Sequence, residues 1–150
     1  MAARRGRAGT GKHVVTTPDD IGTRTVLIIE DRPDVADTLA LYLELVGGFR
    51  TAVAYDGAAG VEAVLRDHPD AVVCDLGLRK KSGLAVAAEL TRRLPDKPLL
   101  IAVTAHSDDG IQDRARQAGF DHFLVKPAFP QDIAGLIRDS IPSREAGSRA

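Results

Sequence analysis

The feature that most constrains this chain is an alternation. Five short apolar runs, TVLIIE (25 to 30), TAVAY (51 to 55), AVVCD (71 to 75), LLIAVT (99 to 104) and DHFLV (121 to 125), are each followed by a stretch whose apolar residues recur at helical spacing. A run that is apolar at nearly every position has no wet face, so it suits a strand covered on both sides, as parallel strands are. Parallel neighbours need a crossover, and the intervening helices supply it. The pattern predicts an α/β domain of (βα)₅ type, a parallel sheet with helices on both faces.

The helical stretches are bounded by chemistry as well as by period. Pro33 opens the first, over 33 to 46, at a position whose N–H would have no helical partner. Val35, Leu39, Tyr42, Leu43 and Val46 are expected on its packed face, and Gly47-Gly48 ends it. Asp56-Gly57 turns the chain into the second, which carries Val61, Val64 and Leu65 until His68-Pro69-Asp70 breaks it. The third is expected from about Leu84 to Leu94, and the fourth over 108 to 118 with Gly119 closing it. The fifth, about 130 to 141, puts Ile133, Leu136, Ile137 and Ile141 on one side. The repetition is of element type without an internal sequence repeat, which argues against a solenoid.

At 150 residues, 44% hydrophobic and 27% charged, the chain suits one domain with a proper core. Residues 1–24 are rich in Gly, Thr, Ala and Arg without an apolar period, and 142–150 read likewise. They are expected to be a flexible basic arm and a flexible tail around a domain over 25–141. A formal net charge of −1 provides no global field toward nucleic acid or an acidic membrane, so any charge-based function is local. The single cysteine, Cys74, excludes an internal disulfide framework and a Cys-rich zinc site, and its apolar neighbours make it a small core hydrophobe. No apolar run approaches the roughly 18 residues of a membrane span, and no signal-peptide pattern opens the chain. The reading is of a soluble, cytoplasmic protein with no membrane partner.

In an open parallel sheet, ligands bind outside the carboxyl ends of the strands. Those ends carry Glu30-Asp31, Asp75, Thr104 and Lys126-Pro127, with Tyr55-Asp56 fitting the same rim less well. Three carboxylates held together repel by roughly 4 kcal/mol per pair at 4 Å and an effective dielectric near 20. A divalent hard cation such as Mg²⁺ offsets that repulsion, because it takes oxygen ligands and keeps waters that a phosphate oxygen can replace. Lys126 offers a compact positive charge and Thr104 a hydroxyl donor for a phosphoryl oxygen. Phosphoryl transfer needs this kind of positioning and charge neutralisation, with Asp75 as nucleophile. Taken singly, an Asp after a strand is a turn former or helix cap; the coincidence of these residues at successive strand ends carries the functional reading.

With IIED (28 to 31), CDLGL (74 to 78), VTA (103 to 105) and LVKP (124 to 127) in this order, residues 24 to about 141 resemble a receiver domain of bacterial two-component response regulators, similar to the chemotaxis regulator and to receivers of hybrid kinases. The resemblance implies a doubly wound, flavodoxin-like sheet of strand order 2-1-3-4-5. It implies Asp75 as phosphoacceptor, Thr104 as switch hydroxyl and Phe123 as the rotating aromatic. It also implies a Mg²⁺ site, open to Mn²⁺, from Glu30, Asp31, Asp75 and the backbone carbonyl of Gly77, and a cis bond between Lys126 and Pro127. Gly77 and His106 stand at the positions that tune the lifetime of the phosphoryl group. The implied donor is a histidine kinase or a histidine phosphotransfer protein. The implied output is altered protein binding through the last two helices and fifth strand, a homodimer being one form of it. Self-phosphorylation from small donors and autodephosphorylation are expected without making the chain an enzyme.

The sequence departs from that pattern after the phosphoacceptor. Arg79 stands where the family usually has Pro, and Ser82 where it has Asp, while Gly83 is retained. RKKS is expected to make this loop more mobile and more basic than usual. GRAGTGKH (6 to 13) matches G-x-x-x-x-G-K but has His13 where a phosphate loop needs Ser or Thr, and no strand precedes it. Arg4, Arg5, Arg7 and Lys12 read as a solvated basic arm, so no nucleic-acid partner is expected. The rival reading is a phosphorylation-independent protein interaction module that keeps the fold and docks through the basic loop. A hydrolase with a nucleophilic Asp would want a second aspartate two residues on, where Gly77 stands.

Overall fold

The computed structural model describes residues 23–141, together with the backbone of Arg4, Arg5, Arg7 and Ala8. Most of the basic arm, with Lys12 and the GRAGTGKH stretch, and the tail from residue 142 lie outside the described residues, although Arg4–Arg5 pairs antiparallel with Arg7–Ala8. Five strands and five helices alternate from residue 25 onward: β1 (Thr25–Ile29), α1 (Pro33–Leu45), β2 (Arg50–Ala54), α2 (Gly57–Asp67), β3 (Ala71–Asp75), α3 (Gly83–Arg93), β4 (Leu99–Thr104), α4 (Asp109–Ala118), β5 (His122–Val125) and α5 (Pro130–Ser140). All neighbouring strands of this sheet pair in parallel, in the order β2-β1-β3-β4-β5. The fold is the flavodoxin-like α/β sheet of order 2-1-3-4-5. Among the described residues, no helix is long and apolar enough to cross a membrane.

The two faces of the sheet follow from the period-two alternation of strand side chains. Val26, Ile28, Val73, Ile101 and Val103 pack against α1 and α5, where Ala36, Leu43, Ile133, Ala134 and Ile137 meet them. Leu27, Ile29, Val72, Cys74, Leu100 and Ala102 pack on the other side, against Val61 and Val64 of α2, Val86 and Leu90 of α3 and Ala115 of α4. All five residues of β3, the central strand, are buried, whereas none of the four residues of the edge strand β5 is. Burial of such side chains contributes about 1.5–3 kcal/mol each, so the two clusters dominate the stability of the layers.

The helix ends are chemically specified. Asp56, Ser82 and Asp108 each cap a helix, accepting from the amides of Ala59 (2.8 Å), Ala85 (3.1 Å) and Ile111 (2.8 Å). His68 ends α2 in the left-handed region, at φ 50°, just before Pro69. Asp56, expected to fit the rim only poorly, is thus a cap, and the Tyr55 hydroxyl beside it donates to Asp37 Oδ1 at 2.7 Å.

Two sequence expectations need correction or refinement. Val35 and Val46 are exposed (37% and 65%), and the packed stripe of α1 runs through Ala36 and Leu43, with Leu39, Ala40 and Tyr42 beside it. The small side chain of Ala36 lets the first turn approach the sheet, which rotates Val35 outward. Arg24, assigned to the arm, is held by the domain: its guanidinium lies 5.2 Å from the Phe49 ring centroid and donates to the Ile141 carbonyl.

Candidate functional site

The register of the sheet sets which strand-end side chains meet. Ile29 lies opposite Cys74, so Glu30 leaves the sheet beside Asp75; Asp75 lies opposite Val103, and Thr104 opposite Val125. Alternation then places Glu30, Asp75 and Lys126 on the α1–α5 side, and Thr104 with Phe123 on the side of α2, α3 and α4. Phe123 is half-buried and packs against the core cluster of that second face.

One carboxylate oxygen from each of Glu30, Asp31 and Asp75 lies within 4.8 Å of the others. Lys126 Nζ faces them from β5's end, 3.5 Å from Asp75 Oδ2 and 3.8 Å from Glu30 Oε1. The other oxygen of Asp75, Oδ1, accepts from the Gly77 amide at 2.9 Å. The two oxygens of this carboxylate are therefore in different environments, one against a neutral N–H and one against an ammonium. A groove of about 710 Å³ leads away from this rim, between α1 and the loop into α5, past Leu39, Pro127 and Ile133. The Lys126–Pro127 peptide bond is cis.

Among the described residues, Glu30, Asp75 and Thr104 are the buried polar ones, at 5%, 8% and 3% exposure. Buried carboxylates do not improve a core, and two at one strand-end rim mark a site with a use for charge. Burial pushes the Glu30 carboxyl above its ordinary range, the charges of Asp75 and Asp31 add to the shift, and the Arg32 amide and Lys126 oppose it. Burial acts the same way on Asp31, but the Arg79 amide and guanidinium together outweigh it and hold that carboxyl low. Burial, followed by the charges of Asp75 and Glu30, pushes the Cys74 thiol up, so it remains an inert core group.

Thr104 Oγ1 accepts from the His106 amide at 3.1 Å, and the Lys126 amide donates to the Thr104 carbonyl at 2.7 Å. The His106 side chain is exposed, so its contact with the Thr104 hydroxyl runs through the backbone. The structure does not bring the Tyr55-Asp56 pair into this cluster.

The residue that sequence reasoning left out of the site is Arg79. Its amide donates to Asp31 Oδ2 at 3.0 Å and its Nε lies 3.1 Å from the same oxygen. The basic loop is tied at two further points, by Lys81 Nζ 2.7 Å from Glu89 Oε1 and by the Ser82 cap. The loop expected to be freed by the loss of proline is thus anchored at both ends. The only sequence signal for Arg79 was its charge at a position the family fills with Pro.

Residues 26–138 match the family model for the response regulator receiver domain. The transcriptional regulatory protein PrrA of Mycobacterium tuberculosis is 30% identical over 125 residues, covering 83% of this chain and 52% of its own length. The response regulator MprA of Mycobacterium leprae is 32% identical over 115 residues, covering 75% and 49%. The chain spans about half the length of the curated relatives it matches. A CheY-like receiver domain protein from Methanospirillum hungatei superposes with a TM-score of 0.73 at 20% identity, over 79% of this chain and 93% of that one, a likeness of fold. The match runs from the first residues of β1 into the last turn of α5 and takes in every strand end at the acidic rim, so the chain belongs to the response regulator receiver domains of two-component signal transduction.

Proposed function

We propose that this chain is a phosphorylation-dependent switch in which Asp75 accepts a phosphoryl group from a histidine kinase or histidine phosphotransfer protein, in a reaction that requires Mg²⁺. The observation that supports this most directly is the rim itself: three carboxylates with oxygens within 4.8 Å of one another, facing the Lys126 ammonium 3.5 Å from Asp75. The donor set fits Mg²⁺ or Mn²⁺, because all three side chains offer hard oxygen ligands and the Glu30 carboxyl stays raised by burial and by its carboxylate neighbours in spite of the Arg32 amide and Lys126. Glu30, Asp31 and Asp75 would hold the ion, with the Gly77 carbonyl as a further ligand. When bound, it neutralises charge on the carboxylates and on the incoming phosphoryl oxygens.

The chain's own residues supply the rest. An oxygen of Asp75 bonds to phosphorus as the nitrogen–phosphorus bond of the donor breaks, and the electron pair returns to the donor's imidazole nitrogen. The Gly77 N–H fixes the orientation of the Asp75 carboxylate, so the reacting oxygen is positioned before the donor arrives. Lys126 stands beside that carboxylate to pair with a phosphoryl oxygen. Thr104 then exchanges the His106 N–H for the phosphoryl group, and Phe123, on the same face of the sheet, follows into the vacated space. Output passes through the surface of α4, β5 and α5, where Val125 and Phe129 are exposed, as altered binding of a protein partner or a second copy. Gly77 and the exposed His106 set how readily water reaches the phosphoryl group. The reaction belongs in the cytoplasm, with its donor.

The test is intact mass after incubation with Mg²⁺ and a small phosphodonor, for the wild type and for Asp75→Asn. A Mg²⁺-dependent phosphoryl adduct on the wild type alone supports the switch. Its absence from the wild type would leave a receiver fold that acts only as a binding module.

A further inference from the structure

Arg79 carries a contact that nothing in its loop's own geometry requires. Its amide already fixes the backbone to Asp31 Oδ2 at 3.0 Å, yet the side chain folds back so that Nε reaches the same oxygen at 3.1 Å. Asp31 is mostly buried, with its side chain 12% exposed, while the Arg79 side chain is 80% exposed. The cationic end therefore meets, from the solvent side, one of the three carboxylates whose oxygens converge within 4.8 Å. A second cation, Lys126, approaches the cluster from β5 but contacts Glu30 and Asp75, leaving Asp31 to Arg79.

We propose that Arg79 is an internal competitor for the divalent cation: its charge is paired with Asp31 in the metal-free protein and opposes the ion that the same carboxylate would take. The inference rests on the metal site of the proposed function. Both Arg79 contacts fall on Asp31 Oδ2, so they draw on the negative charge of the carboxylate that the ion would share, and a fixed positive charge beside the site repels a dication. Because solvent reaches the pair on the arginine side, water can take over the guanidinium when the ion binds, so the opposition is modest. The consequence is a site tuned to weak, readily exchanged Mg²⁺ binding. Lys80, one residue on, is exposed and adjacent but makes no such contact with Asp31.

The experiment is calorimetric titration of the full chain with Mg²⁺ at fixed ionic strength, comparing wild type with Arg79→Ala, Arg79→Gln and Lys80→Ala. Arg79→Gln keeps the stem and the amide contact without the charge, and it replaces the alanine variant should that one fold poorly. Removing Arg79's charge is expected to tighten Mg²⁺ binding about three- to tenfold, while Lys80→Ala stays within about twofold of the wild type. Equal affinity in wild type and both Arg79 variants would overturn the competition while leaving the metal site standing. Equal tightening by Lys80→Ala would overturn it too, by assigning the effect to net charge. No saturable Mg²⁺ binding in any of the four proteins would overturn the metal site and this inference together. A readout without metal adds a check: if Arg79 shields Asp31, Arg79→Gln lowers the melting temperature of the metal-free chain while Lys80→Ala does not.

Discussion

Lys126 Nζ stands 3.5 Å from Asp75 Oδ2 and 3.8 Å from Glu30 Oε1, bridging the carboxylates that end β3 and follow β1. The lysine side chain is half-buried, so its charge is less screened by water than that of a surface lysine. Under the proposed function it would pair with a phosphoryl oxygen arriving at Asp75.

Lys126→Met keeps the length and apolar stem of the side chain and removes the charge. Loss of one preorganised charge donor costs on the order of 10²-fold in rate, and that is the drop expected in phosphoryl uptake by Asp75. A time course of intact mass with a small phosphodonor measures it, with circular dichroism to show that the fold persists. Uptake at the wild-type rate would remove Lys126 from the chemistry.

Glu30 makes the metal-free protein sensitive to pH. Its carboxyl is raised above 4.5 in the fold, first by burial and then by Asp75 and Asp31, against the Arg32 amide and Lys126. A carboxyl that holds its proton more tightly when folded costs stability once it ionises. That cost is absent below the unfolded value and fully present above the folded one. Glu30→Gln, whose amide oxygen still accepts from Arg32, should therefore raise stability by on the order of 1 kcal/mol at pH 7 without Mg²⁺. The gain should vanish near pH 4. Chemical denaturation at the two pH values checks both halves, and a gain that persists at pH 4 would point to packing instead of charge.

The parts of the site that lie at strand ends were legible in the sequence, because a parallel sheet brings successive ends to one rim whatever the loops do. Asp75 and Thr104 are the last residues of their strands, and Glu30 and Lys126 are the first residues beyond theirs. Arg79 was not legible in this way, since its contact with Asp31 joins residues 48 apart and depends on the path of an irregular loop. The packed face of α1 was ambiguous for a different reason. Apolar residues at 35, 39, 42 and 46 make a stripe as regular as that through Ala36, Leu39 and Leu43, and only the close approach permitted by Ala36 selects between them. The contact of the His106 amide with Thr104 was not legible either, because a side chain is visible in a sequence and a backbone N–H is not.

Thr104→Val separates acceptance of the phosphoryl group from its consequence. The substitution keeps the volume at a position 3% exposed and removes the hydroxyl that the His106 amide donates to. Leaving that amide without its acceptor costs about 1–3 kcal/mol if water cannot replace it. Phosphoryl uptake on Asp75 should continue within about tenfold of the wild type, because Lys126 and the carboxylates are untouched. The change in the environment of Phe123 on phosphorylation should be lost. Aromatic proton shifts before and after phosphorylation measure it; a Phe123 response of full size in Thr104→Val would disconnect the two residues.

Gly83 and Gly77 flank the basic loop and make opposite predictions. A Cβ on Gly83 would stand 2.6 Å from the Asp75 carbonyl oxygen and 2.7 Å from Leu76 Cα, both backbone atoms at the strand end that carries Asp75. Backbone cannot swing aside as a side chain can, so Gly83→Ala forces α3 away from β3 and displaces Asp75. A destabilisation of about 1–3 kcal/mol is expected, together with slower phosphoryl uptake. At Gly77 the nearest atom to a Cβ is Asp75 Oδ1 at 3.5 Å, an ordinary contact, and no positive φ demands glycine there. Gly77→Ala should leave stability within about 0.5 kcal/mol of the wild type, as for a surface position. Its methyl group next to the acceptor oxygen should change the lifetime of the phosphoryl group instead. Denaturation midpoints for the two variants, with the decay of the phosphorylated mass, test the pair; a stable Gly83→Ala would show that the close approach of α3 to Asp75 is not what holds the acceptor in place.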